Sequence, residues 1–454
     1  MPKELFGTDG IRGVPGQYPL DDATLFRTGV ALGEYLTHHC GAAKSLRVLI
    51  GMDTRESGPK IAGHIAQGLR GAGVEPVSAG IITTPGVAWL VHMEDFAAGV
   101  VISASHNPYH DNGVKLISGT GMKFPDAAEA QIEARILTAQ VSKSPIPELV
   151  PGSLPVTTSL HIDYLSALRG KLFPRAKLAG MKIVLDCANG AASTLAPELF
   201  RELGAEAISI SDHPDGRNIN HDCGSLHPGK MLEKTVTSGA DLGVAFDGDA
   251  DRAVFSTSSG RYVDGDAVLF AAGRFMKKTR QLKGDTIVGT SMSNLGLERA
   301  LERDGLRLAR TPVGDRYVLE EMLRIGANLG GEQSGHVIFL DDSTTGDGML
   351  TAVKMASLVS IGGKLDTVLH DLRVFPQKIV NVRVRSKPPL DSLPLVARAL
   401  ADAEKSLGDS GRVVVRYSGT EPLARVMVEA ERAEDVDRFS NSIAAALESS
   451  VGTA

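Results

Sequence analysis

The chain has 454 residues, of which 43% are hydrophobic and 22% charged. A single hydrophobic core stops growing at roughly 250 to 300 residues, so three or four domains are expected. A formal net charge of −6 excludes the broad basic surface that drives polynucleotide binding. Cys40, Cys187 and Cys223 are odd in number and widely spaced, which suits neither a disulfide framework nor a metal motif and favours a reducing compartment. No apolar run follows a basic start at the N-terminus, and no stretch reaches about 18 uninterrupted apolar residues, so a cytoplasmic protein off the membrane is expected.

In chain order, Phe6-Gly7-Thr8-Asp9-Gly10-Ile11-Arg12-Gly13 sets an arginine in a glycine-rich turn. A strand is expected over Arg47–Met52, followed by a helix ending at Leu69–Val74, where Gly73 suits a left-handed cap. The apolar run Gly99–Ile102 leads into Ser103-Ala104-Ser105-His106-Asn107-Pro108, and Asp111-Asn112-Gly113-Val114-Lys115 follows. Pro108 and Asn112-Gly113 force turns that would present the Ser105 hydroxyl in a loop at a strand end. Serine needs a proton acceptor or a stabilising cation to act as a nucleophile, and His106 and Lys115 are candidates for that help. On spacing alone a capped turn fits better than a nucleophile. Ser144–Pro155, with four prolines, reads as a linker.

The strand–helix pattern then recurs: a strand over Met181–Asp186 with a helix closing at Gly204, and a strand over Asp285–Thr290 with a helix closing at Gly305. After the apolar strand Leu242–Phe246 come Asp247-Gly248-Asp249-Ala250-Asp251-Arg252. Three carboxylates at alternate positions repel one another by a few kcal/mol per pair at about 4 Å, and a divalent cation relieves that repulsion. Hard oxygen ligands point to magnesium. Gly330-Gly331-Glu332-Gln333-Ser334-Gly335-His336 sits between apolar stretches and offers a carboxylate, a hydroxyl and an imidazole, which suit the polar groups of a sugar. Beyond Asp371 the order becomes strand Lys378–Arg385, helix Ser392–Ser406, strands Arg412–Arg416 and Leu423–Glu429, and helix Glu434–Leu447. The connecting Arg416-Tyr417-Ser418-Gly419-Thr420-Glu421-Pro422, with Arg425 nearby, offers hydroxyls, bare amides and guanidiniums to a phosphate that is not transferred. It lacks the lysine and spacing of a nucleotide-binding loop.

Taken in order, the five segments resemble the α-D-phosphohexomutase superfamily over nearly the whole chain. The resemblance implies an α/β fold of four domains around a central cleft: three successive similar α/β units, residues 1–150, 151–256 and 257–370, then a smaller α+β domain, 371–454. It implies that Ser105 is the phosphoserine and that Asp247, Asp249 and Asp251 bind Mg2+ together with the Ser105 phosphate. Glu332, Ser334 and His336 would contact the sugar, and Arg416, Ser418, Gly419, Thr420 and Arg425 the non-transferring phosphate. His106, Lys115 and Arg12 would handle protons and charge. Within the superfamily the wording is most similar to the bacterial phosphoglucosamine mutases: Phe6–Gly13, Gln333, and Val313-Gly314-Asp315-Arg316-Tyr317-Val318. Ala250 stands where a second glycine is usual, and Tyr417 where a smaller or basic residue is. The implied reaction interconverts glucosamine 6-phosphate and glucosamine 1-phosphate, with a hexosamine or hexose 1,6-bisphosphate as activator, ahead of UDP-N-acetylglucosamine. Phosphomannomutase or phosphoglucomutase activity, or a magnesium-dependent phosphatase using Asp247, are the alternatives. A small sugar phosphate is then the partner, with no nucleic acid or membrane, and a homodimer is left open.

Overall fold

The computed structural model describes residues 4–7, 9–40, 46–138, 148–149, 154–418 and 421–453. The chain forms two compact units, Met1–Ser291 with Ala309–Leu369, and Met292–Leu308 with His370–Ala454. Most of the expected proline-rich linker lies outside the described residues. Among the described residues no helix is long and apolar enough to cross a membrane.

The first unit holds three sheets. In the first, the spatial order is Ile11–Gly13, Asn112–Ser118, Ala98–Ile102, Arg47–Met52, Glu75–Ile81. The last three strands run parallel and the first two antiparallel. The second sheet repeats the order with Tyr262–Val263, Ala253–Thr257, Leu242–Phe246, Lys182–Asp186 and Glu206–Ile210. The third keeps four of the five positions: Val337–Phe339, Leu329–Gly331, Thr286–Thr290 and Arg307–Thr311. Central strands such as Leu242–Phe246 and Thr286–Thr290 are buried at every residue. That is why they read as unbroken apolar runs rather than as alternation. The helix-closing Gly73, Gly204 and Gly305 have positive φ. The edge strand Tyr262–Val263 belongs to the second sheet, beyond the boundary at residue 256 expected from the sequence.

The second unit is a three-stranded antiparallel sheet in the order Gln377–Arg383, Leu423–Ala430, Gly411–Tyr417. Val426, Val428, Ile443 and Leu447 are fully buried in its core, with helices Pro394–Leu407 and Ala433–Val451. It also takes in the helix Leu295–Arg303, which in the chain joins two strands of the third sheet, Thr286–Thr290 and Arg307–Thr311. Glu429, fully buried, explains that recruitment: its carboxylate accepts the Leu295 amide (3.0 Å) and pairs with Arg412 Nε (2.6 Å), while Arg412 Nη2 donates to the Ser293 carbonyl (2.6 Å). A buried carboxylate persists only when its lone pairs are satisfied in this way.

Candidate active site

In each of the first unit's sheets, the strand that pairs in parallel beside the antiparallel one ends in a motif. Ala98–Ile102 leads to Ser105, Leu242–Phe246 to Asp247, and Leu329–Gly331 to Glu332. Ligands of open α/β sheets bind outside the carboxyl ends of such strands. Ser105 has φ of 50°, a left-handed conformation that costs an L residue on the order of 1 kcal/mol. Its amide donates to Ser103 Oγ (2.9 Å) and its hydroxyl to Asp247 Oδ2 (2.6 Å), with His106 Nδ1 3.3 Å from Oγ. Burial, then the charges of Arg252 and Arg12, hold the His106 pKa below its ordinary value. Arg252 Nη1 lies 3.3 Å from the same Nδ1.

Asp247, Asp249 and Asp251 each bring a carboxylate oxygen to within 4.8 Å of the others. Burial, then repulsion from Asp251 and Asp249, pushes the Asp247 pKa well up. Lys115 is buried beneath them, 3.0 Å from Asp249 Oδ2, 3.1 Å from Asp9 Oδ2 and 3.9 Å from Asp251 Oδ2. Burial lowers its pKa, but the three carboxylates outweigh that and hold it well above the ordinary value. Asp249 Oδ2 also accepts the Thr84 hydroxyl (2.6 Å). Asp249 Oδ1 and Asp251 Oδ1 are buried and accept no hydrogen bond. Two orphaned carboxylate oxygens in a crowded acidic cluster are the donor set a hard divalent cation takes, so these residues fit magnesium.

Ser105, Arg12, Arg252, Asp251, Glu332 and His336 line one cavity of about 930 Å3. Arg12 Nε and Arg252 Nε are buried without an acceptor. Glu332 Oε1 accepts the Gly314 amide (3.1 Å). Both ring nitrogens of His336 are engaged, Nε2 accepting the Gly346 amide (3.1 Å) and Nδ1 lying 3.6 Å from Asp251 Oδ2. Ser334 is exposed and outside the cavity wall, and Lys115 is buried behind it rather than in it. Arg252 was not among the residues expected from the sequence, although it directly follows the acidic loop. Nor was Lys123, which bridges Asp9 and Asp315 at 2.8 Å each. No local pattern marks Lys123, because its partners lie 114 and 192 residues away.

In the second unit, Arg416 and Arg425 are directly opposite on antiparallel strands. Like charges so placed are unfavourable without an anion between them. Arg425 also pairs with Glu421 (2.9 Å), and the Ser418 carbonyl accepts Lys387 Nζ (2.5 Å), a cation absent from the sequence-based set. Gly419 and Thr420 lie outside the described residues.

Models of four phosphoglucomutase/phosphomannomutase domains match the chain. The alpha/beta/alpha domains I, II and III match residues 3–142, 161–260 and 264–374, and the C-terminal domain matches 379–446. The phosphoglucosamine mutase of Solibacter usitatus (strain Ellin6076) is 53% identical over 453 residues, covering 100% of both chains. The chain belongs to the phosphoglucosamine mutase family. That of Koribacter versatilis (strain Ellin345) is 49% identical, covering 99% of this chain and 98% of its own. Among solved structures, a phosphoglucomutase/phosphomannomutase family protein from Burkholderia thailandensis has a TM-score of 0.79 at 25% identity, with 99% of each chain covered. The N-acetylphosphoglucosamine mutase of Aspergillus fumigatus shares the fold, with a TM-score of 0.68 at 16% identity, covering 99% of this chain and 96% of its own. As a phosphohexomutase the chain is an isomerase.

Proposed function

We propose that the protein interconverts glucosamine 6-phosphate and glucosamine 1-phosphate through phosphorylated Ser105 and a bisphosphorylated sugar, supplying cytoplasmic UDP-N-acetylglucosamine synthesis. The observation that carries this reading is the Ser105 hydroxyl 2.6 Å from Asp247, in a cavity shared with two guanidiniums whose Nε donors lack acceptors. In the forward step the Oγ–P bond of phosphorylated Ser105 breaks as a sugar hydroxyl oxygen bonds phosphorus. The hydroxyl proton leaves the sugar, and Oγ recovers one. The bisphosphate turns over, and its other phosphoryl returns to Ser105 by the reverse exchange. Lys115, kept protonated by three carboxylates, supplies charge, whereas His106, kept neutral, is the group near Oγ able to move a proton. Arg12 and Arg252 stabilise the phosphoryl oxygens in flight, where electrostatics contribute most. Asp247, Asp249, Asp251 and the Ser105 phosphate would hold Mg2+, which when bound draws charge off those oxygens. Glu332 and His336 would form the sugar's polar wall, with Ser334 reaching it only if the loop moves. Arg416, Ser418, Gly419, Thr420 and Arg425 would take the distal phosphate, with a hexosamine or hexose 1,6-bisphosphate as activator. The Aspergillus fumigatus protein of this fold is described in complex with GlcNAc-6P and magnesium.

The test is turnover of glucosamine 6-phosphate against glucose 1-phosphate and mannose 1-phosphate, with phosphopeptide mapping. Phosphate should map to Ser105, Ser105→Ala should be inactive, and chelation should stop turnover until magnesium returns. Preference for mannose 1-phosphate, or phosphate trapped on Asp247, overturns the reading.

A further inference from the structure

Two side chains outside the cavity converge on the serine loop from different sheets. Arg55, 1% exposed, follows the strand Arg47–Met52, and its Nη2 donates to the carbonyls of Ser105 (3.2 Å) and Asn107 (2.6 Å). Asn220, from the segment beside the second sheet, donates through Nδ2 to the same two carbonyls, at 2.9 and 3.1 Å. Neither residue lines the cavity.

We infer that Arg55 and Asn220 are positioning residues that fix the Ser105 hydroxyl relative to the acidic loop; this rests on the reading that Ser105 carries the phosphoryl group. Carbonyls two residues apart can share donors only if the turn between them is set, and here that turn contains Ser105 at φ 50°. Four hydrogen bonds hold it. On one side the clamp is anchored by Asp53, fully buried and paired with Arg55. On the other, the Asn220 amide donates to the Ala188 carbonyl (2.9 Å), and the Ala191 amide a turn later donates to Gly248 O (2.8 Å) inside the acidic loop. Gly248 itself presses so close that a Cβ there would stand 2.5 Å from Ser105 O and 2.9 Å from Asn220 Nδ2. The clamp therefore ties the serine to the carboxylates through backbone. A mutase needs this more than a one-way transferase does, because Oγ must give up a phosphoryl and later recover one at the same point. Misplacement of a reacting atom by about 1 Å can cost roughly a hundredfold in rate.

The test uses the full-length protein with magnesium, glucosamine 6-phosphate and a hexose 1,6-bisphosphate. Asn220→Asp keeps the shape and tolerates the left-handed backbone at this position (φ 59°), but turns acceptors toward two carbonyls. Arg55→Lys keeps the charge but has one nitrogen where Arg55 uses two, Nη1 toward Asp53 and Nη2 toward both carbonyls, so it cannot serve all three partners. Both variants should lose tenfold or more in kcat with KM within twofold, need more Mg2+ for half-maximal rate, and melt cooperatively. Asn220→Asp should be at least as impaired as Asn220→Ala, whereas a role in filling space would make Asp the milder change. Unchanged kcat in both variants, or an effect confined to KM, overturns the clamp while leaving the Ser105 reading intact. A wild-type protein without phosphate on Ser105 and without turnover overturns both.

Discussion

Asp347 illustrates how a single side chain costs stability at a site that needs it. It caps the helix Gly348–Gly362 through the Leu350 amide (2.9 Å) and accepts the Tyr164 hydroxyl (2.9 Å), yet burial pushes its pKa up to about 6. A raised carboxyl pKa means the folded state binds more protons than the unfolded one between about pH 4 and 6. Stability therefore falls as pH rises through that window, and the penalty is fully present above it. About two pKa units correspond to about 3 kcal/mol. Asp347→Asn, which cannot ionise, should gain on wild type by up to about 3 kcal/mol between about pH 4 and pH 7 in urea unfolding. A difference between the two proteins that does not change with pH would show that burial is not the cause.

At the scale of elements, the Glu332 loop is held by the start of a helix. Asp264 caps Gly265–Lys278 through the Ala267 amide (3.0 Å), and its other oxygen accepts Gln333 Nε2 (3.2 Å). Gly265 donates its amide to Gln333 O (3.0 Å), and a Cβ there would collide with Glu332 O. Gly265→Ala must displace the loop, since backbone cannot yield as a flexible side chain can. Overpacking of this kind costs about 1–3 kcal/mol. KM for the sugar phosphate should rise about tenfold or more while Ser105 still accepts phosphate. An unchanged KM would show that the loop does not hold the sugar. Opposite that loop in sequence but close in the fold, Arg316 pairs with Asp126 (2.6 Å) and Lys123 with Asp315 (2.8 Å). These pairs join the Val313–Val318 motif to the segment that follows the strand Asn112–Ser118.

For the molecule as a whole, the second unit is assembled from two stretches of chain, 292–308 and 370–454. A fragment of residues 371–454 would bury Glu429 without the Leu295 amide and leave Arg412 without the Ser293 carbonyl. Loss of one partner from a buried charged group costs about 1–3 kcal/mol or more. The fragment should melt lower than a fusion in which residues 292–308 are joined back to it, and equal melting would show that the helix adds nothing. Arg416→Ala should lower kcat/KM by roughly ten- to a hundredfold, the worth of a charge-assisted contact of about 1.5–3 kcal/mol, while Ser105 stays phosphorylatable. Calorimetry showing glucosamine 6-phosphate bound as tightly by both Arg416→Ala and Arg425→Ala as by wild type would place the distal phosphate elsewhere.

The sequence by itself determined the main apolar strands, the glycine-closed helices and the acidic cluster. Unbroken apolar runs such as Leu242–Phe246, closing glycines such as Gly73, and the Asp247–Asp251 spacing are local signals, because burial on both faces, left-handed φ and carboxylate crowding all act within a few residues. The similar units were legible for the same reason, though the Tyr262–Val263 edge strand was not, being only two residues long. What only the tertiary structure decided were contacts made across more than a hundred residues. Lys115 lies under Asp249, Lys123 between Asp9 and Asp315, and Asn220 on the carbonyl of Ser105. Tertiary structure alone also set the start of the helix Leu295–Arg303, within the stretch that domain III matches, on the buried carboxylate of Glu429. A buried charge must find its partner wherever the chain brings one, and sequence spacing carries no trace of that pairing.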